Sequence, residues 1–477
     1  MSTTQGPQVG TIEQRGIDEV PASERHGRPR DLFWMWLGTN TNVFYIINGA
    51  LLIALGLNFL QSLVIILLGN IVGFFLLGLT SIQGPRTGTA TFATNRAAFG
   101  RNGGRLLAFF NWCTLVGFEG SGLALAVIAI LTLAHTAGLS VSDAVWFKVV
   151  VILLVAALQL YVPTLGHATI MVVQKILAWV FVIFFLLVTA FIAGKVQLTG
   201  GQAGSFATLT VGFALMVSAG GLSWANTGSD YSRYLPASAR PGAIIWAASL
   251  GGMIPAILLE ILGAAVAAQV SNASDPISGL PAALPAWFLI PYLLVLFFNL
   301  RAVNGIDLYS SGLTLQVIGL SVKRWQATLI DLVICTVLAA IAVFNADFNT
   351  LYGQFLSLLI LFLAPWCAIY LTDSWMRRNT YDTAGLLARM GGPYWYRGGI
   401  NPAGLIALIS GMVAAALWLN SPLLTGPLSH LFGGSDMSIF AGFLVGGLLY
   451  WILAHSLVER TAPEQLMRQD VESSSGS

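Results

Sequence analysis

Twelve long apolar runs divide this sequence, and they constrain its fold more than any other feature. Each run is close to the roughly 20 residues that a helix needs to cross the hydrocarbon core of a bilayer. Apolar residues make up 56% of the 477 positions and charged residues only 9%, whereas a soluble domain carries about 25% charged residues. We therefore predict an all-α, polytopic membrane protein of about twelve transmembrane helices, embedded in the lipid bilayer. The predicted spans are 33–57, 60–82, 106–134, 144–163, 168–194, 205–228, 241–270, 286–313, 325–345, 349–372, 401–420 and 437–455.

The placement of basic residues predicts the orientation of these spans. With an even number of spans, both ends of the chain lie on one side of the membrane. That side receives 18 of the 22 Lys and Arg residues, while the loops on the other side carry only Lys195. Because cytoplasmic loops are enriched in Lys and Arg, we predict a multi-pass protein of the cell membrane with both termini in the cytoplasm. Its segments are a tail at 1–31, a transporter domain at 32–456 and a tail at 457–477.

Charge and motif content argue against several other functions. The net charge of +2 gives no strongly basic surface, so nucleic acid is not expected as a partner. The three cysteines lie far apart in apolar runs, without the spacing of metal ligands. The five histidines lie near loops or span ends, and neither Gly-x-Ser-x-Gly nor His-Glu-x-x-His occurs. We predict that the protein is not an enzyme and holds no metal or cofactor.

The first and sixth spans carry polar residues and glycines where a lipid-facing helix would be apolar. The first contains Asn40, Asn42 and Asn48, and the sixth contains Gly220-Gly221. A bilayer tolerates non-helical backbone only where it lines a cavity, and interrupted helices at matching positions of two inverted repeats indicate the binding site of a secondary transporter. The alternative is that these small residues only allow close helix packing.

Spans one and six occupy equivalent positions if the first ten spans form two units of five. A repeat unit with an odd number of spans must be inserted with inverted topology. We therefore predict a five-plus-five inverted-repeat transporter fold with helices 1 and 6 interrupted, followed by two C-terminal helices. The units are 32–194, 205–373 and 401–456.

The eighth span places Arg301, Asn304 and Asp307 within a membrane-spanning helix. Arg and Asp at a helix centre each cost roughly 2.5–3.5 kcal/mol on insertion scales, so they mark a protein interior or water. Arg301 and Asp307 are about 240° apart around a helix, so Arg301 is expected to pair instead with Glu119 of span three or Glu260 of span seven. The alternatives are that Arg301 extends towards the cytoplasmic interface and that Asp307 is a structural hydrogen-bonded carboxylate.

These segments together resemble the nucleobase–cation symporter family, which includes purine-cytosine permeases, cytosine permease and hydantoin permease. The resemblance runs along nearly the whole hydrophobic region. Its motifs are Asn40-x-Asn42, Gly84-Pro-Arg-Thr-Gly88, Asn95-Arg-Ala-Ala-Phe-Gly100, Asn111-Trp112, Ser223-Trp224, Ser229-Asp230-Tyr231-Ser232-Arg233-Tyr234-Leu235-Pro236, Leu308-Tyr309-Ser310-Ser311-Gly312 and Tyr396-x-Gly-Gly399-Ile-Asn401.

The resemblance implies a helix bundle that rocks against a scaffold, and a planar base held between aromatic rings of spans three and six. Amide side chains would read the edges of the base, since ring N–H and C=O groups need fixed donors and acceptors. By position, Trp224 is the aromatic residue of span six that would stack on the base. Asn304 is the amide residue of span eight that would hydrogen-bond to its edge, and Asn48 faces the break in span one. The predicted substrate-binding residues are Asn48, Phe118, Ser223, Trp224, Asn304 and Asp307.

The sequence departs from the family pattern at several of these positions. Phe118 stands where the family usually has Trp, and Gly122 stands where it has an amide. Asp307 stands where purine-cytosine permeases of the fungal type look to have a second Asn. A larger or cationic substrate is therefore an alternative. Ala302 and Val303 align with the hydroxyl residues that help to hold sodium in the hydantoin permease type, and they offer no side-chain oxygen.

Proton coupling is therefore expected rather than sodium coupling. A carboxylic acid in a low-dielectric cavity can take up and release a proton in the useful pH range. The ion-coupling candidates are Glu119, Asp307 and Arg301. We predict secondary-active symport of a nucleobase or related planar heterocycle into the cell by a functional monomer. The alternatives are a non-transporting receptor, a channel, or a transporter of a different small polar or cationic solute.

Overall fold

The computed structural model describes residues 16–160, 167–194, 202–270, 272–320, 322, 324–345 and 348–461. Lys195 and parts of both predicted tails lie outside these ranges. Within them the chain is all-helical, and its only β-type pairings are two isolated bridges. The main helices are α1 (Pro29–Asn40), α2 (Val43–Ala54), α3 (Phe59–Thr80), α4 (Arg96–Thr136), α5 (Val145–Gln159), α6 (His167–Ala193), α7 (Phe206–Val217), α8 (Pro241–Ala267), α9 (Leu289–Ile318), α10 (Arg324–Asn345), α11 (Phe348–Met376), α12 (Pro402–Trp418) and α13 (Ser438–Thr461).

The helices confirm the predicted polytopic membrane class. Nine segments of the described chain are long and apolar enough to cross a bilayer, and α2, α5 and α12 are shorter apolar helices. Together they occupy the twelve predicted positions. The helix of the third span, α4, is longer than its apolar run, because it begins at Arg96 and continues through a kink at Gly100, where φ is 78°.

The first span is broken between α1 and α2, as its polar residues predicted. Thr41 and Asn42 leave the helical conformation, and the Asn42 side chain caps α2 by accepting a hydrogen bond from the backbone N–H of Phe44 at 3.0 Å. Asn299 of α9 spans the break, because its amide donates to the Thr41 carbonyl at 2.8 Å and accepts from the Val43 N–H at 3.3 Å. Two backbone groups freed by the break are thus paired with one side chain.

The sixth span is broken one turn after α7. Residues Ser218–Leu222 form a π-type turn in which Gly220 has φ −86° and ψ −129°. A side chain on Gly221 would collide with the backbone of α3 at Gly73 and Phe74, so only glycine allows this close approach. A short helix, Ser223–Ala225, completes the span, and a further short helix, Gly228–Ser232, follows it. The breaks in helices 1 and 6 therefore stand where the sequence predicted them.

The helix contacts repeat in the way that two inverted units of five require. The second and seventh spans (α3 and α8) pack together, as do the third and eighth (α4 and α9). The first span packs on α8, while α7 of the sixth span packs on α3. The first span also contacts α6, and the broken part of the sixth contacts α11. The last two helices, α12 and α13, pack on each other and on α11.

The bundle has two faces that differ in their contacts. α1 begins and α13 ends on the same face, which we call the terminal face; the other is the opposite face. At the terminal face the carbonyl oxygen of Gly16 accepts a hydrogen bond from Arg233 at 2.6 Å, so the start of the described chain is attached to the end of the sixth span. His167, at the start of α6, stacks on Tyr234 with 4.4 Å between ring centroids.

Candidate functional site

A cavity lies between the two helix breaks, in the interior of the bundle. Its free volume is about 30 Å³, which is room for only one or two water molecules. Its lining residues are Asn42, Phe44, Tyr45, Phe118, Ala219, Ser223, Trp224, Val303, Asp307 and Tyr352.

Two aromatic rings predicted to hold the substrate form walls of this cavity. Trp224 follows the break in the sixth span and is 8% exposed, and its indole packs edge-on against Trp36 with 5.5 Å between centroids. Its Nε1–H donates a hydrogen bond to the hydroxyl of Tyr45 at 3.3 Å, and that hydroxyl donates to Asn40. Phe118 of α4 is fixed by an edge-on contact with Phe355 at 4.9 Å.

Asp307 is the one carboxylate among the cavity-lining residues. It is buried, and the described residues include no hydrogen-bond or ion-pair partner for it. The hydroxyl of Ser223 also lines the cavity, but it donates to the carbonyl oxygen of Gly220 at 2.8 Å. Asp307 is therefore the polar group at the cavity wall with the most remaining capacity to bind a guest.

Two of the predicted substrate contacts lie away from the cavity lining. Asn304 donates through Nδ2 to the carbonyl oxygen of Glu119 at 3.0 Å, while its Oδ1 has no partner among the described residues. That oxygen lies where a side chain on Gly122 would stand. Asn48 is buried on α2, and neither of its amide atoms has a partner in the described chain. The substrate-binding role of both residues stays a prediction.

The other charged candidates also lie outside the cavity. Glu119 is fully buried, and its carboxylate accepts a hydrogen bond from the thiol of Cys335 at 3.2 Å. Arg301 donates from Nη1 to the Val155 carbonyl oxygen at 2.9 Å and to Gln159 at 3.0 Å, both near the terminal-face end of α5. Arg301 thus pairs with neither of the carboxylates considered for it. Its position agrees with the alternative in which it extends towards that face.

In the eighth span, the position that resembles the sodium site of the hydantoin permease type offers few free oxygen ligands. Ala302 and Val303 present alkyl side chains, and the Ala302 carbonyl oxygen accepts a hydrogen bond from Gln174 at 2.8 Å. Hard cations such as sodium require several oxygen ligands. Among the described residues, no group of three or more His, Cys, Asp or Glu side chains is placed to hold a metal ion.

The cavity is closed differently towards the two faces. Towards the opposite face lie Phe44 at the start of α2 and Tyr352 near the start of α11, whose rings stack with 5.2 Å between centroids. Beyond this pair, a second cavity of about 280 Å³ is lined by residues of α2, α7, α11 and the stretch between α12 and α13. This stacked ring pair thus closes the cavity on the side of the opposite face.

Towards the terminal face the closure has several layers. Trp36 packs edge-on against Tyr231 at 5.6 Å, and the Tyr231 hydroxyl donates to the Ile306 carbonyl oxygen at 2.6 Å. Tyr309 lies behind them and accepts a hydrogen bond from Arg233 at 2.9 Å. These contacts join α1, the end of the sixth span and α9.

Asp230 lies at the terminal-face end of the sixth span, beyond the membrane-spanning helix. Its carboxylate accepts a hydrogen bond from the backbone N–H of Thr91 at 2.9 Å. Burial raises the pKa of Asp230 to about 6, and the hydrogen bonds with Thr91 and the charge of Arg233 only partly offset that effect. The residue is therefore expected to titrate close to physiological pH.

Sequence reasoning did not assign three residues that shape the site. Tyr45 and Tyr352 line the cavity, and Asn299 holds the break in the first span. Tyr45 could have been found, because it follows the predicted break by one helical turn. Tyr352 has no comparable local signal, since only the packing of α11 against α2 brings it to the site.

The fold and the cavity at paired helix breaks define a polytopic membrane transporter. The sequence profile of the family described as permease for cytosine/purines, uracil, thiamine, allantoin matches residues 19–442. The chain belongs to this family. It is accordingly a permease and not an enzyme, as predicted.

Individual relatives agree with this assignment. A putative purine-cytosine permease of Bacillus subtilis, YxlA, is 27% identical over 466 residues, covering 95% of this chain and 98% of the relative. The purine-cytosine permease fcyB of Emericella nidulans is 25% identical, covering 93% and 88%. The same fold occurs in Mhp1, a nucleobase-cation-symport-1 family transporter solved in a closed conformation with bromovinylhydantoin bound. The TM-score is 0.77 at 18% identity, covering 95% of this chain and 97% of that one.

Proposed function

We propose that this permease is a secondary-active symporter that carries a nucleobase or a related planar heterocycle, such as cytosine, a purine or a hydantoin, into the cell by alternating access. The single observation that carries this proposal is the cavity between the helix breaks, which has Trp224 and Phe118 in its walls and Asp307 at its edge. Aromatic faces stack on a flat ring, and a carboxylate accepts hydrogen bonds from ring N–H groups. The names of the relatives support the same substrate class.

The proton is the proposed coupling ion. Asp307 borders the cavity and has no partner in the described chain, while Glu119 is buried and its backbone carbonyl accepts a hydrogen bond from Asn304. An uncompensated buried carboxylate is unfavourable, so each group favours uptake of a proton when its surroundings close. The alkyl side chains of Ala302 and Val303 argue against a sodium ion at that position of the eighth span.

The proposed setting is the cell membrane, with the terminal face in the cytoplasm. The distribution of Lys and Arg supports this orientation. A functional monomer is also proposed, because the cavity lies inside the helix bundle of one chain.

Substrate binding can be tested with the purified protein and a thermal-shift screen of purines, pyrimidines, hydantoins and related heterocycles. The variants Trp224→Ala and Asn304→Ala should lose base binding while remaining folded and inserted. Trp246→Ala is the control, because Trp246 is 57% exposed on the outside of α8. Wild-type affinity in both site variants would remove this site assignment.

The coupling ion can be tested by uptake into reconstituted vesicles under separately imposed proton and sodium gradients. Uptake should follow the proton gradient, and Asp307→Asn or Glu119→Gln should remove that dependence while the matched change Asp331→Asn should not. Sodium-dependent, proton-independent uptake would refute proton coupling. Specific binding with no flux in either gradient would instead favour a receptor.

A cationic solute is the second candidate substrate, because an unpartnered carboxylate at the cavity wall is unusual for a purely neutral guest. Positively charged heterocycles in the same screen test this candidate. Stabilisation by cations that Asp307→Asn abolishes, without stabilisation by neutral bases, would favour it.

A further inference from the structure

A second polar cluster lies in the bundle, on α2, α3 and α8. It consists of Asn48, Asn70 and Glu260, which are 1%, 0% and 0% exposed. Nδ2 of Asn70 donates a hydrogen bond to the Glu260 carboxylate. None of the three residues lines the substrate cavity described above.

The packing of α2 directs Asn48 towards the other two residues. Tyr45 contacts Phe74 of α3 at 6.4 Å between centroids. Asn48 is one turn after Tyr45 on α2, and Asn70 is one turn before Phe74 on the antiparallel α3, so the two amides lie at one level. The neighbouring Gly49 lies directly against the backbone of Glu260, where any side chain would collide. The three residues therefore lie at one level of these helices.

The cluster also borders the break in the sixth span. A Cβ atom on Gly220 would stand 3.0 Å from Oδ1 of Asn70. Asn48 lies one helical turn from Tyr45, and Tyr45 lines the substrate cavity. The cluster is thus next to the cavity, on the far side of Tyr45.

Four buried atoms of the cluster have no hydrogen-bond partner among the described residues. They are Oδ1 and Nδ2 of Asn48, Oδ1 of Asn70 and Oε1 of Glu260. Three of the four are oxygen acceptors, and one belongs to an acid that no ion pair within the described chain neutralises. Buried polar groups are normally paired, and a buried charge is normally compensated.

The charge of these four atoms and their donor or acceptor character determine which kind of ligand would fit. An anion would meet three acceptor oxygens, one of them from a carboxylate, and they repel it. A proton on Glu260 would neutralise the charge, but its one O–H could pair with only one of the two amide oxygens. A small hard cation with one positive charge would neutralise the carboxylate and bind all three oxygens, which are the ligand type that such cations prefer.

We infer that Asn48, Asn70 and Glu260 form a binding site for a small monovalent metal cation of the size of sodium. The cation neutralises Glu260 and fixes α2 against α3 and α8, and it thereby positions Tyr45 at the cavity wall. Its effect on substrate affinity rests on the proposed function, whereas ion binding itself does not. The ion need not drive uptake, so a proton at Asp307 and a cation here are compatible.

The test is a sodium titration of the purified full-length protein without substrate, at constant ionic strength with N-methylglucamine as the replacement cation. Sodium should raise the melting temperature in a saturable manner. Glu260→Gln keeps the size of the side chain and the acceptor for Asn70, and it should weaken the apparent sodium affinity at least ten-fold. Asn48→Ala should weaken it in the same direction. Asp331→Asn is the matched control, because it removes another buried carboxylate and should leave the titration unchanged.

Two results would overturn this site. One is a wild-type protein that does not respond to sodium, including one whose stability responds only to pH. The other is a sodium response that Glu260→Gln leaves intact. Base binding is measured in parallel at saturating sodium, so a sodium response without base binding would contradict the proposed function and keep the cation site.

Discussion

The indole Nε1 of Trp224 donates a hydrogen bond to the phenolic oxygen of Tyr45 at 3.3 Å. Trp224 follows the break in the sixth span, and Tyr45 follows the break in the first. Because Tyr45 also donates to Asn40 on α1, one short chain of hydrogen bonds joins both halves of the first span to the sixth. The two interrupted helices therefore share the wall against which a flat guest would stack.

The change Tyr45→Phe should weaken substrate binding by up to about ten-fold. It removes the acceptor of the Trp224 indole and the donor to Asn40 but keeps the ring, and one hydrogen bond contributes about 0.5–1.5 kcal/mol. Equilibrium binding of the base identified in the screen measures the effect. Tyr292→Phe is the control, since its buried hydroxyl donates to Pro276 far from the cavity. Equal affinity in wild type and Tyr45→Phe would show that the hydroxyl does not position the indole.

The change Gly122→Ala should lower base affinity by about five-fold and leave the melting temperature nearly unchanged. The new methyl group would displace the end of the Asn304 side chain and break its 3.0 Å hydrogen bond to Glu119. Only the end of a side chain must move, so the fold should tolerate the substitution, while one hydrogen bond contributes about 1 kcal/mol. Gly242→Ala, where a Cβ meets open space, is the control. A large loss of stability with unchanged affinity would argue that Asn304 is structural.

The change Asn299→Ala should destabilise the protein by about 1–3 kcal/mol, because it leaves the buried Thr41 carbonyl and Val43 N–H without their partner. Thermal unfolding in detergent should show a lower melting temperature. The control is Asn345→Ala, which removes an exposed hydrogen bond within α10. If both variants melt alike, the break in the first span does not depend on this clamp.

The stability of the protein should fall as pH rises from about 4 to about 6, and Asp230→Asn should reduce that fall. Burial raises the pKa of Asp230 to about 6, whereas the unfolded chain has the usual value near about 3.9. The folded state binds the extra proton in this window, so its advantage is lost as pH passes through 6. The difference is on the order of 2–3 kcal/mol.

Melting temperatures of the wild type and Asp230→Asn at several pH values between 4 and 7 provide the measurement. Asp143→Asn, which removes an exposed carboxylate, serves as the control. Parallel pH profiles for the wild type and Asp230→Asn would contradict the assignment.

The features that the sequence predicted correctly are those encoded locally. The break in the first span could be predicted because Asn42 and its neighbours disfavour a continuous lipid-facing helix. The break in the sixth span could be predicted because Gly220-Gly221 weakens the helix and also allows close packing. Apolar runs likewise identify membrane spans with no knowledge of which helices meet.

The sequence could not predict which residues of distant helices contact each other. Arg301 was expected near Glu119 or Glu260, but the rotation and tilt of α9 direct it to Val155 and Gln159 of α5. Tyr352 reaches the cavity for a similar reason, since α11 must first pack against α2. Both outcomes depend on angles between helices, which single-sequence patterns do not record.

The unequal closure of the cavity has a kinetic consequence. Towards the opposite face the cavity is closed by the stacked Phe44–Tyr352 ring pair, whereas the path to the terminal face requires Tyr231 and Arg233 to release their hydrogen bonds. Loading and unloading across the first barrier should therefore be fast relative to delivery across the second. Labelled guest would then swap with unlabelled guest on the loading side many times for each molecule that is delivered.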